Sequence, residues 1–168
     1  MIVDQNGRPL GTMDKLAAHQ SGTLHRAFSV FVFNAKGQLL LQQRALDKYH
    51  SGGLWTNTCC SHPYLGELVV DAAHRRLREE MGMDCELTEL FQFTYRHEFE
   101  NGLTEHEFDH VFIGISDQEP QLNPIEVAAI KYMDTDELML ELAGQPDRYT
   151  AWFKLCLDRV VESYHQFI

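Results

Sequence analysis

The chain has no basic excess, no long apolar run and no cysteine framework. Lys and Arg number 14 against 25 Asp and Glu, a formal net charge of −11. That excludes a general nucleic-acid binder, which needs a basic surface. No apolar stretch approaches the length of a membrane span. The four cysteines are Cys59, Cys60, Cys85 and Cys156. Adjacent Cys59 and Cys60 are poor partners for each other, so reduced thiols are expected rather than a disulfide scaffold. Repeats, low-complexity tracts and linkers are also missing, and residues 1–168 read as one domain with room for a sizeable core. Met1 to Leu10 lacks a basic segment followed by an apolar one, so no signal peptide and a cytoplasmic location are expected.

What is present is an ordinary globular profile, 44% hydrophobic and 23% charged, with a high count of nine histidines. Apolar runs at 27–34 and 38–44, joined by Lys36-Gly37, predict a strand pair. Residues 45–56 predict a loop over a site. Residues 67–81 predict a helix stopped by Gly82, with Val69, Val70, Ala73 and Leu77 as its apolar stripe. Residues 88–99 alternate, with Phe91, Phe93 and Tyr95 on one face. After a turn at Asn101-Gly102, 105–116 and 125–133 predict two more strands. A short helix from Asp134 to Leu142, capped by Asp134 or Thr135, precedes an amphipathic helix over 148–167. The fold class is α/β (α+β), a sandwich of helices around a mixed β-sheet.

Chemistry concentrates in two segments. Cys60 and His62 lie two apart, ahead of Pro63. Glu105 and Glu107 lie two apart in a predicted strand, so both carboxylates point one way and His106 points the other. Two same-facing carboxylates repel unless a cation or a shared proton relieves them. Each feature also has a plainer reading: a solvated strand end for the glutamates, a surface loop for His62, an incidental pair for His19 and His25. Taken together, His19, His25, His62, Glu105 and Glu107 make a nitrogen and oxygen set suited to a divalent metal of the Mn, Mg, Fe or Zn type.

The helix at 67–81 carries part of the Nudix-box spacing in Glu67, Arg75, Glu79, Glu80 and Gly82. Ser61 replaces its leading glycine, and Arg76 replaces the glutamate after the arginine. A cation in place of a metal-binding carboxylate weakens a hydrolase reading. It suits a direct diphosphate contact through the planar guanidinium fork. An ordinary charged helix face is the alternative.

The chain resembles type I isopentenyl-diphosphate delta-isomerase, a family with the Nudix fold. The resemblance rests on KLAAH at 15–19, HRAFS at 25–29, FNAKGQLLLQQRALDK at 33–48, LWTNTCCSHPYLGE at 54–67, RRLREEMG at 75–82, FTYRHE at 93–98 and EHE at 105–107. It runs from about residue 3 to Trp152. It departs at Ser61, where glycine is usual, and in a His19–His25 interval about one residue shorter than the family's.

The resemblance implies roles by position. Cys60 and Glu107 match the catalytic cysteine and glutamate, Tyr95 a hydrogen-bonding tyrosine, and Trp152 a tryptophan facing the reacting carbons. His19, His25, His62, Glu105 and Glu107 match the ligands of one divalent metal (Mn²⁺, Mg²⁺ or Zn²⁺). Glu80 matches a residue associated with an Mg²⁺ that accompanies the substrate diphosphate. Lys15, Arg44, Lys48 and Arg76 match diphosphate contacts. The implied reaction interconverts isopentenyl and dimethylallyl diphosphate, with a small allylic or homoallylic diphosphate as partner and neither nucleic acid nor membrane. A monomer is the favoured state. A Nudix pyrophosphohydrolase and a metal-stabilised binding module are the competing readings. Cys59, Cys85 and Cys156 are read as structural, and His50 is given no role.

Overall fold

The computed structural model describes residues 1–167. Two short strands, β1 (Ile2–Val3) and β2 (Pro9–Gly11), lead into helix α1 (Lys15–Ser21). Strands β3 (His25–Phe33), β4 (Leu39–Arg44), β5 (Trp55–Thr56) and β6 (Cys59–Ser61) precede helix α2 (Val69–Met81). Strands β7 (Leu87–Glu98), β8 (Thr104–Ile115) and β9 (Val127–Met133) follow. Helices α3 (Thr135–Gly144) and α4 (Ala151–Phe167) close the described chain.

The sheet is mixed, as expected. Its centre is β3, parallel to β8 and antiparallel to β6 and β1. β7 extends it antiparallel to β8, and β9 and β5 flank β4. The expected β3–β4 pair is only a tip: the two strands meet at Phe33↔Leu39 and then part. Each goes on to a longer partner, β3 to β8 and β4 to β9. Both faces of β3 are therefore buried, which is why its sequence runs apolar without alternation.

Strand periodicity divides the core. Phe31, Phe33, Val111 and Ile113 face Trp152, Phe153, Leu157 and Val160 of α4. Phe28, Val30, Val32 and Phe112 face Ala72, Ala73, Leu77 and Met81 of α2. Burying each of these large side chains contributes roughly 1.5–3 kcal/mol.

Helix α2 begins two residues later than the sequence predicts because Glu67 belongs to the preceding turn. Its carboxylate accepts from the Tyr64 amide and from both arms of Arg75. The helix ends at Gly82 in the left-handed region (φ 61), where a side chain would also strike the Gln121 carbonyl. Asp134 does stand at the start of α3, but its side chain makes no capping bond there. The terminal helix starts at Ala151 rather than 148, because a 3₁₀ turn at Pro146–Arg148 precedes it. No described helix is long and apolar enough to cross a membrane.

Candidate active site

Three neighbouring strands put one polar row across the sheet. Glu107 of β8 is in register with His25 of β3 on one side and Tyr95 of β7 on the other. Helix α1, absent from the sequence-level reading, adds His19 from its last turn. Asp14 caps this helix by accepting from the Ala17 amide, and Gly22 ends it in the left-handed region. The reversal at Gly22 brings His19 and His25 together, with ring centroids 4.9 Å apart, so the shortened interval does not separate them. His62 follows β6 into the same space.

The backbone fixes two of the imidazoles. His19 Nδ1 is 2.7 Å from the Lys15 carbonyl, and His25 Nδ1 is 2.8 Å from the Thr23 carbonyl. A carbonyl only accepts, so each Nδ1 carries the proton and each Nε2 offers its lone pair to the site. His25 Nε2 stands 3.1 Å from His62 Nε2 and 3.5 Å from Glu107 Oε1, while His62 Nε2 is 2.9 Å from that oxygen. His19 Nε2 is buried with no hydrogen-bond partner. Donor atoms of His19, His25, His62 and Glu107 lie within 4.8 Å of one another. Converging lone pairs beside a carboxylate, one of them orphaned, fit a divalent cation.

Glu105 stands apart from that four-donor set. Its Oε1 is 3.3 Å from His50 Nε2, and its Oε2 is 3.2 Å from the Tyr95 hydroxyl. It groups instead with His19 and His50. Burial, reinforced by Glu107, pushes the Glu105 carboxyl well above the usual range. Burial opposes the Glu107 charge too, but the His25 and His62 imidazoles beside it outweigh it and hold Glu107 well below that range. Burial lowers His62 to about 4 and His50 to about 3. A cation entering this pocket would remove the conflict between the two glutamates.

Beside this cluster is a small cavity lined by Cys60, Tyr95, Glu107, His50, Ser29 and Trp152. Cys60 reaches it because β6 pairs with β3 at Ser29↔Cys60. Burial pushes the thiol up to about 12, so it holds its proton at neutral pH. The Trp152 indole N–H donates to Asn57 Oδ1 at 3.2 Å, which locks the ring into the wall. The Arg44 guanidinium stands 5.3 Å from the centroid of that ring.

A second cavity adjoins the first and shares Lys15, Arg44 and Cys60 with it. Lys48, Arg76, Glu80 and Glu126 complete its wall. Arg76 binds Glu80 through Nε at 3.1 Å and approaches Glu126 at 3.3 Å; Lys48 also pairs with Glu126. Gln42 donates to the other Glu80 oxygen at 2.9 Å. All four cations expected to meet a diphosphate thus border one cleft. Ser61, at the position where glycine is usual, sits in β6 outside the left-handed region, so its side chain is accommodated.

Among the residues of these cavities that had no role in the sequence reading are His50 and Glu126. His50 carried a signal of a kind, since the 45–56 loop was expected over the site. Glu126 precedes β9 and carried none.

A family model described as NUDIX domain matches residues 23–153. The chain is 52% identical over 167 residues to "Isopentenyl-diphosphate Delta-isomerase" of Pectobacterium atrosepticum, covering 99% of this chain and 93% of that one. It is 54% identical over 161 residues to "Isopentenyl-diphosphate Delta-isomerase 2" of Aromatoleum aromaticum, covering 96% and 85%. Among solved structures, DR0079 from Deinococcus radiodurans superposes with a TM-score of 0.78 at 19% identity, over 94% of this chain and 96% of that one. A MutT protein from Methanosarcina mazei superposes with a TM-score of 0.68 at 16% identity, over 84% and 95%. These two likenesses speak to the fold alone.

Proposed function

We propose that this chain, which belongs to the isopentenyl-diphosphate Delta-isomerase family of Nudix-fold proteins, interconverts isopentenyl and dimethylallyl diphosphate. The observation that carries the reading is one cavity holding both Cys60 and Glu107, opening onto a basic cleft.

The reaction moves a double bond. A proton is added to the terminal alkene carbon, leaving a tertiary carbocation, and a proton is removed from the carbon on the other side. That needs one proton donor and one acceptor in a single pocket. Cys60 and Glu107 are the pair. The thiol is protonated and the carboxylate ionised in the metal-free molecule, so the pair holds the one proton the exchange requires. Each turnover leaves the two groups with their protonation exchanged. Tyr95, 2.6 Å from Glu107, steadies the carboxylate. The Trp152 face stabilises the cation, by roughly 2 kcal/mol or more in a desolvated pocket.

His19, His25, His62, Glu105 and Glu107 would hold the divalent cation, Mn²⁺, Mg²⁺ or Zn²⁺, which when bound fixes Glu107 and tunes its proton affinity. Lys15, Arg44, Lys48 and Arg76 anchor the diphosphate, which is not a leaving group here. Glu80 would meet an Mg²⁺ carried on it. The cytoplasm is the compartment this reading fits.

The competing hydrolase reading draws no support from the helix. Of the box carboxylates, Glu67 is bound by Arg75, Glu80 by Arg76, and Glu79 by both. The test is proton NMR of the purified protein with isopentenyl diphosphate, Mg²⁺ and Mn²⁺ in D₂O. Dimethylallyl diphosphate carrying deuterium is the expected product. Phosphate release in place of isomerisation would establish the hydrolase.

A further inference from the structure

His50 sits on the loop between β4 and β5, and that loop is tightly pinned. Arg44 donates to the His50 carbonyl at 3.3 Å, and Asn101, from the β7–β8 turn, donates to the Tyr49 carbonyl at 3.0 Å. Gly52 lets the chain fold back: a side chain there would lie 2.5 Å from the Leu46 carbonyl oxygen. The His50 ring is buried and stacks on Phe99, with centroids 4.6 Å apart and planes at 22°. Backbone and ring are both held, so the direction of Nε2 is set by the fold.

That nitrogen faces Glu105 Oε1 at 3.3 Å. On the other side of the ring, Nδ1 lies 3.4 Å from the Ser51 hydroxyl, on a residue with φ 53. With a cation in the site Glu105 is ionised and can only accept, so the ring facing it would carry its proton on Nε2 and leave Nδ1 to accept from Ser51. Glu105 Oε2 is meanwhile within 3.2 Å of the Tyr95 hydroxyl. The Tyr95 proton goes to Glu107 at 2.6 Å, which leaves His50 as the donor that faces Glu105.

We propose that His50 is a positioning residue of the metal centre: it orients Glu105 through Nε2–H and so sets the affinity of the site for its cation. The inference rests on the metal reading above and goes beyond it, because it assigns the control of one ligand to a residue outside the ligand set. Outer groups of this kind typically change metal affinity about 10- to 100-fold when removed.

The test compares His50→Phe, which keeps the stack on Phe99 and loses the donor, with His50→Gln, whose side-chain amide can donate. Mn²⁺ binding to the stripped full-length proteins is measured by titration calorimetry, and folding is checked by circular dichroism. The expected result is an affinity about 10- to 100-fold weaker in the Phe variant and restored to within a few-fold in the Gln variant. Equal affinity of the Phe variant and the wild type overturns the proposal. So does equal loss in both variants, which would mark His50 as a direct ligand with His19 and Glu105. A wild-type protein that binds no Mn²⁺ overturns the metal reading itself and this inference with it.

Discussion

The Tyr95 hydroxyl donates to Glu107 Oε2 at 2.6 Å, from the residue directly opposite on the neighbouring strand. The other oxygen of the same carboxylate meets His62 at 2.9 Å. Glu107 is therefore held from both sides by residues whose spacing along the chain says nothing of their contact. Burial and the nearby Glu107 and Glu105 charges raise the phenol well above its usual range, so it remains a donor at any working pH.

Tyr95→Phe removes only that hydroxyl. A hydrogen bond to a charged group contributes about 1.5–3 kcal/mol, so kcat should fall about 10- to 100-fold. The protein should stay folded, because the ring keeps its packing against Phe93. Steady-state kinetics at saturating metal check this. An unchanged kcat would show that Glu107 is positioned without the phenol.

Cys60→Ala should abolish turnover to the extent a proton-transfer group contributes, about 10²- to 10⁴-fold, with Mn²⁺ affinity unchanged. The thiol lines the reaction cavity but is not among the clustered metal donors. Calorimetry and the D₂O exchange assay on one preparation separate the two effects. Loss of metal binding along with activity would place Cys60 in the metal site instead.

Much of this site is legible along the chain. The Glu105–His106–Glu107 alternation correctly puts two carboxylates on one face, because strand periodicity is local. His106 turns away as expected and meets the Gly22 carbonyl at 3.0 Å. The strand over 88–99 also emerges nearly intact as Leu87–Glu98. What depends on pairing does not show. The β3–β4 hairpin pattern is real at its tip, yet sheet partners from residues 104–115 and 127–133 pull the strands apart. Helix α1 is one short segment whose apolar content is too slight to announce it, so His19 looked incidental until Gly22 turned it onto His25. His50 escaped notice because its contacts, Glu105 and Phe99, lie some fifty residues away.

Lys48 tests the anchoring cleft with the least structural damage. Its partner Glu126 also faces Arg76, so Lys48→Met leaves that carboxylate paired. Losing one charged contact to a diphosphate, about 1.5–3 kcal/mol, should raise KM for isopentenyl diphosphate about 10- to 100-fold with little change in kcat. The wild-type KM should also rise with added salt, because the anchoring cluster is electrostatic. A drop in kcat at constant KM would mean that Lys48 acts on the chemistry and not on the anchor.

Acidification tests the histidine ligands. Burial lowers His62 to about 4 and His50 to about 3, against about 6.5 for an unfolded histidine. Between those values the unfolded chain binds protons that the folded chain refuses. The contribution of these two groups is therefore complete above about pH 6.5 and declines as pH falls toward 4. Glu107, whose partners outweigh its burial and depress it, adds a loss in the same direction at the lower end. Glu105 is raised by burial and runs the other way, its contribution being present in acid and lost as pH rises past its unfolded value. A cation needs unprotonated imidazoles, so protons compete with it for the Nε2 atoms. At fixed Mn²⁺, the gain in Tm over stripped protein should hold from pH 7.5 to about pH 5 and shrink as pH falls toward the His62 value of about 4. Paired melting curves across that range measure it. A gain still undiminished at about pH 4, where His62 takes up its proton, would mean that His62 does not hold the ion, and it would then lose its assigned role.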